Sequence, residues 1–170
     1  MKKSVQLYEA GLEEYPVRDV VAGNLAMAAL IAAGTLACWF ISAAFGIAYA
    51  AVSVVMVYVV MRRLVCTRCH YFGKRCGTGW GILAATWFTR GRVEEFNESA
   101  GVRLAPVVYG LMALLPLVAI TVALLGGATT SKLLVLGLLL ALSFYSMGPG
   151  RRRTCSVCKM RLFCKGSAAK

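Results

Sequence analysis

Three long stretches without a charged side chain constrain the fold more than any other feature of this sequence. They cover residues 20–61, 104–131 and 133–150, and only Lys132 separates the last two. A helix needs about 20 apolar residues to cross a bilayer core. The first stretch is long enough for two crossings, and the later two provide one each. The sequence therefore predicts an all-α integral membrane protein with four transmembrane helices.

The arrangement of the polar segments predicts two transmembrane hairpins. Hydrophobic residues make up 59% of the 170-residue chain, too many for an ordinary soluble domain of this length. The expected segments are a polar N-terminal segment (1–19), hairpin 1 turning near 42–46 (20–61), a cytosolic loop (62–103), hairpin 2 turning at 126–127 (104–148) and a basic C-terminal tail (149–170).

The positive charge is concentrated beside the apolar stretches. Of the 19 Lys and Arg residues, 18 lie in the flanking segments, which is the pattern of cytoplasmic loops. We therefore expect a multi-pass protein of the cell (plasma) membrane with both termini in the cytoplasm. Orientation explains the net charge of +12, so no nucleic-acid partner is predicted. The bilayer's anionic headgroups are the expected partners, and the arginines predicted to contact them are Arg62, Arg63, Arg151, Arg152 and Arg153.

Six of the seven cysteines form two short clusters. The first cysteine cluster is Cys66, Cys69 and Cys76, with the spacing C-x2-C-x6-C. The second cysteine cluster is Cys155, Cys158 and Cys164, with the spacing C-x2-C-x5-C. Each cluster follows an apolar hairpin and a pair of arginines, which suggests an internal repeat.

Clustered cysteines in the reducing cytoplasm are typical of metal ligands or redox thiols. Zinc and iron–sulfur sites usually take four ligands. The first cluster offers three thiolates and His70 as an additional candidate, whereas the second offers three thiolates and no histidine. We therefore expect the clusters to meet and share one site, with all six cysteines as candidate ligands.

Two functions follow from such a site. In the first, thiolate-bound zinc ties the two halves of the chain together and builds an interaction surface for a cytosolic protein or a larger membrane complex. In the second, a membrane redox subunit carries an iron–sulfur centre or a redox dithiol and passes electrons to a cytosolic partner. The sequence favours the first, a protein that is not an enzyme on its own.

Other motifs carry less weight. Residues 66–70 match the C-x-x-C-H motif of haem c attachment. However, the second cluster lacks the histidine, Cys76 would be unused, and the flanking arginines place the motif in the cytoplasm. A single histidine leaves no Ser-His-Asp arrangement, and the first three predicted spans contain no ionisable Asp, Glu, Lys, Arg or His for ion or proton transport.

In spacing alone, the cysteines resemble the six-cysteine binuclear zinc cluster of fungal transcription factors. In that family a short linker joins the two halves and the partner is DNA. Here two predicted membrane spans separate Cys76 from Cys155. We therefore infer no function from this resemblance.

Overall fold

A computed structural model describes residues 5–169, and within that range the chain is helical with no strand. A π-helical turn at Met56–Val60 joins the second and third helices, and two short 3-10 segments cover Cys66–Arg68 and Val93–Glu98. The α-helices are α1 (Val17–Trp39), α2 (Ala43–Val55), α3 (Met61–Leu64), α4 (Trp80–Trp87), α5 (Ala100–Leu125), α6 (Thr130–Met147) and α7 (Pro149–Ser156).

Four helical stretches are long and apolar enough to cross a membrane. They are Val17–Trp39, Ala43–Arg68, Ala100–Leu125 and Thr130–Ser156. At 1.5 Å per residue, stretches of this length measure about 35–40 Å, which exceeds a hydrocarbon core of about 30 Å. The prediction of an all-helical chain with four such helices is confirmed.

The boundaries of the spans differ from the expected ones. The first connection is Phe40–Ser42, earlier than predicted, because the Ser42 side chain accepts a hydrogen bond from the backbone N–H of Phe45 (3.1 Å) and so begins α2. The second candidate span continues through the π-helical turn beyond Arg62 to Arg68. The arginine pair therefore lies on the span rather than after it.

Helix α1 is the centre of the packing and contacts α2, α5 and α6. Its small residues Ala33 and Ala37 are buried against Ile120 of α5 and Leu139 of α6. Small side chains allow helix backbones to approach closely in a membrane.

A buried tyrosine joins the helices on the other side of α1. Gly34 packs so closely on Tyr49 of α2 that a Cβ there would lie 2.5 Å from the Tyr49 hydroxyl. That hydroxyl donates a hydrogen bond to the Met112 carbonyl of α5 (2.7 Å). Tyr49 therefore satisfies its polar atom within the apolar core, as a buried hydroxyl must.

The candidate cysteine site at one end of the helices

Three segments distant in the sequence meet at the end where the cysteine clusters lie. In the N-terminal segment, the Tyr8 N–H donates to the Lys159 carbonyl (2.9 Å) and the Leu12 N–H to the Val157 carbonyl (2.8 Å). The Tyr15 N–H donates to the Arg75 carbonyl (2.9 Å). The N-terminal segment therefore lies between the two loops that carry the cysteines.

Tyr71 connects all three segments through its hydroxyl. It donates to the Leu12 carbonyl (2.6 Å) and accepts from the Lys159 backbone N–H (3.0 Å), and its side chain is buried. Its ring packs edge-on against Tyr15, whose own hydroxyl donates to the Thr154 carbonyl (2.8 Å). One buried aromatic pair thus joins the first cluster's loop to the second cluster.

The first cysteine cluster lies in a tight loop that closes on α4. The Cys69 N–H donates to the Cys66 carbonyl (3.2 Å), and the sulfur of Cys76 lies 3.3 Å from the Thr78 hydroxyl. The loop returns to α4 at Gly81, where a Cβ would overlap the Tyr71 carbonyl oxygen, so glycine is required by the close approach. Cys66 and Cys76 both pack against the apolar group that contains Trp80.

The second cysteine cluster repeats the same local turn. The Cys158 N–H donates to the Cys155 carbonyl (3.2 Å), and the Cys164 N–H donates to the Met160 carbonyl (2.7 Å). Asn97 holds this loop from the side: its amide donates to the Phe163 carbonyl (2.7 Å) and accepts from the Lys165 N–H (2.9 Å).

The loops that carry Cys69 and Cys158 meet where the Tyr71 hydroxyl accepts a hydrogen bond from the Lys159 N–H (3.0 Å). Burial raises the pKa of Cys69, and the nearby thiols of Cys66, Cys76 and Cys158 raise it further. Burial also raises the pKa of Cys158, while the Met160 N–H and the Tyr15 hydroxyl lower it through hydrogen bonds. Burial therefore disfavours the thiolate form of both Cys69 and Cys158. Within residues 5–169, however, no three His, Cys, Asp or Glu side chains are already arranged around a common point as metal ligands.

His70, the additional ligand candidate, faces a different group. Its Nε2 is buried, has no hydrogen-bond partner and lies 3.7 Å from the Glu13 carboxylate. Burial is the main cause that lowers the pKa of His70, and the charges that act on it belong to Lys74, Glu13 and Lys159. The structure thus places His70 at the N-terminal segment rather than against the cysteines.

Arg62 is buried within the protein, and its contact with lipid headgroups stays a prediction. Its side chain is 4% exposed, and its guanidinium carbon lies 4.8 Å from the ring centres of both Tyr58 and Trp80. Helix α4 brings Trp80 over the arginine, and the two rings attract its charge. The Nε atom has no hydrogen-bond partner, and Cys66 and Cys76 are near enough to interact with the guanidinium electrostatically.

The other predicted headgroup arginines are exposed. These are Arg63, Arg151, Arg152 and Arg153. Their contact with lipid stays a prediction.

Sequence reasoning missed the polar side chain that attaches the first cluster's loop to α1. Asn24 donates to the Thr78 carbonyl (2.8 Å) and accepts from the indole N–H of Trp80 (3.0 Å). The available signal was an asparagine inside a charge-free stretch, where a polar side chain needs a partner.

Comparisons of the chain with protein families, curated proteins and solved structures find no match. The function is therefore argued from the geometry of this end of the molecule.

Proposed function

We propose that this is a multi-pass membrane protein whose cytosolic end binds zinc through thiolates of both cysteine clusters. The zinc ties two helical hairpins together and fixes a surface for a cytosolic protein or a larger membrane complex. The direct packing of α1 against α2 and of α5 against α6, across connections of three and four residues, supports the hairpin arrangement. The distribution of Lys and Arg supports the cytosolic orientation.

The observation that carries the proposal is the buried charge of Arg62. A guanidinium removed from water is costly unless an anion or hydrogen bonds compensate it. Two aromatic rings supply part of the compensation, yet the Nε has no partner, and the nearest ionisable groups are two cysteines and a tyrosine. Neutral thiols carry no counter-charge. Zinc bound by four thiolates has a net charge of about −2 and would provide it.

The donor set fits zinc only when both clusters contribute. Each cluster supplies three sulfurs, and His70 is turned toward Glu13, so a fourth ligand for either cluster must come from the other. The loops of the two clusters are joined by the hydrogen bond from the Lys159 N–H to the Tyr71 hydroxyl, which supports Cys69 and Cys158 as the first sulfurs to share a metal. Since no three donors are prearranged within residues 5–169, the proposal includes a local closure of the two loops around the metal. Such coupling between metal binding and local folding is common in small zinc sites.

Metal analysis with an absorption spectrum tests the proposal on the full-length protein. Protein purified in detergent, with and without oxygen, should be colourless and contain zinc. Cys38→Ala is the matched control because Cys38 is buried in α1 away from both clusters, and it should retain the zinc of the unsubstituted protein. A brown protein that contains iron and acid-labile sulfide would contradict zinc binding and support the iron–sulfur alternative. A protein without metal under both conditions would contradict the proposal.

A further inference from the structure

A crevice of about 810 Å³ opens between α1 and the α6–α7 segment, and Arg75 and Gly77 of the first cluster's loop also line it. One wall is formed by residues 12–27, the end of the N-terminal segment and the first turns of α1. The opposite wall is formed by residues 145–157, the end of α6 and most of α7. Deeper in the bundle the two sides close, where Leu30 of α1 packs with Leu139 of α6. The crevice therefore opens at the end of two candidate spans where the cysteine clusters lie.

The rim of the crevice carries an excess of positive charge. Its two carboxylates already have basic neighbours: Glu14 lies 2.7 Å from Arg75, and Asp19 lies 3.8 Å from Arg18. Two further arginines on the rim, Arg151 and Arg153, take part in none of the ion pairs within residues 5–169. An occupant with negative charge at this level would therefore be attracted.

The wall below the rim is apolar and narrow. Ala22, Gly23, Ala26 and Met27 line it from α1, within the first candidate span. The small residues Ala22, Gly23 and Ala26 leave the space, and none of the four side chains offers a polar group to a ligand. The crevice thus combines a basic rim with an apolar wall that lies within a candidate span.

We propose that this crevice binds one anionic phospholipid. The headgroup phosphate lies at Arg151 and Arg153, and an acyl chain lies along the small residues of α1. The charge and apolarity of the two levels match those of a lipid in the cytoplasmic leaflet, which is rich in anionic headgroups. The site is more specific than a general basic surface, because the adjacent Arg152 does not line the crevice. Cys155 of the second cluster also lines the crevice, so the site adjoins the proposed zinc site.

Native mass spectrometry of the full-length protein in detergent tests the headgroup part of this site. We expect one bound phosphatidylglycerol when this lipid is added. Phosphatidylcholine at the same concentration should not displace it. Arg151→Gln and Arg153→Gln should each weaken phosphatidylglycerol binding about fivefold, the effect of one basic residue near a lipid surface. Arg152→Gln, on the same helix, is the matched control and should bind as the unsubstituted protein does. Equal retention of both lipids, or an equal loss in all three variants, would overturn the site.

A second pair of variants tests the apolar wall. Ala26→Phe should fill the crevice and reduce phosphatidylglycerol binding severalfold, whereas Leu25→Phe, at a position that points away and is 64% exposed, should not. Soluble glycerophosphoglycerol distinguishes a lipid site from a simple anion site. Displacement of the lipid by an equal concentration of this headgroup would show an anion site without acyl recognition and would contradict the proposal.

Discussion

Arg62 is a cation buried near the end of the second candidate membrane span, and its neighbours determine how its charge is balanced. The rings of Tyr58 and Trp80 lie against the guanidinium, and the thiols of Cys66 and Cys76 are the anion sources within its reach. Cation–π contacts of this kind contribute about 2 kcal/mol or more when desolvated, less than the cost of an isolated buried ion. A thiolate-bound metal would supply the rest of the negative charge that compensates the buried guanidinium.

Substitution of Arg62 should therefore affect zinc more than the fold. Arg62→Met keeps most of the volume and removes the charge, so we expect zinc affinity to fall about 10- to 100-fold, as for other groups that support metal ligands. After chelation of the zinc, the variant should be no less stable than the unsubstituted protein, because an uncompensated charge has been removed. Competition with a chromophoric chelator measures the affinity, and Arg63→Met, at an exposed position, is the control. Equal affinities for the two variants would contradict a role for the buried charge.

Tyr71 makes a second prediction at the scale of one residue. Tyr71→Phe leaves the Leu12 carbonyl and the Lys159 N–H without the partner they share. Since unsatisfied buried polar groups cost about 1–3 kcal/mol, we expect the free energy of unfolding to fall by that amount. Denaturant unfolding in detergent measures it, with Tyr145→Phe, a half-exposed tyrosine on α6, as the control. An unchanged midpoint for Tyr71→Phe would mean that this hydroxyl does not join the segments.

At the scale of elements, the N-terminal segment is held between the two cysteine loops by its backbone and by one carboxylate. Glu13 lies 2.7 Å from Lys159 beside the second cluster and 3.2 Å from Lys74 beside the first. Hydrogen bonds from Lys159 and Lys74 are the largest causes that lower the pKa of Glu13 from 4.5 to about 2. The segment is therefore electrostatically attached to both loops.

Acidification should release this segment. Because the folded pKa of Glu13 is below its usual value, its ion pairs stabilise the docked segment above about pH 4.5, and this contribution is lost as the pH falls towards 2. In zinc-free protein, the amide exchange rate of residues 8–15, corrected for its intrinsic pH dependence, should rise as the pH falls from about 4.5 towards 2. Glu13→Gln should show the faster exchange already at pH 6. Glu9→Gln is the control, because Glu9 makes no ion pair within residues 5–169, and it should exchange as the unsubstituted protein does. Equal exchange rates in the two variants would contradict the attachment.

The helices could be predicted from the sequence, whereas the assembly of the end that carries the cysteines could not. Charge-free stretches identify membrane spans because hydrocarbon excludes charge, and this signal is local. This local signal did not predict the burial of Arg62, because that burial depends on Trp80 from a separate helix. The position of residues 8–15 depends on backbone hydrogen bonds and on Tyr71, and neither leaves a pattern in the composition. The cysteine spacing predicted a shared site, and this stays a prediction.

At the scale of the whole molecule, a shared zinc would connect the end of the second candidate span to the end of the fourth. Cys66 lies within Ala43–Arg68 and Cys155 within Thr130–Ser156. The loops after them meet at Tyr71 and Lys159, one or two residues beyond Cys69 and Cys158. A metal coordinated from both sides would hold the two halves of the chain together more firmly than the contacts between their helices alone.

The zinc content of Cys69→Ser, Cys158→Ser and the double variant tests shared coordination most directly. If the clusters share the metal, each single substitution should lower the zinc bound by the whole protein to the same level, and the double variant should bind no less than either single variant. Cys38→Ala should bind as much zinc as the unsubstituted protein. If each substitution instead removes only a separate part of the zinc, and the losses add in the double variant, the clusters bind metal independently and the shared site is contradicted.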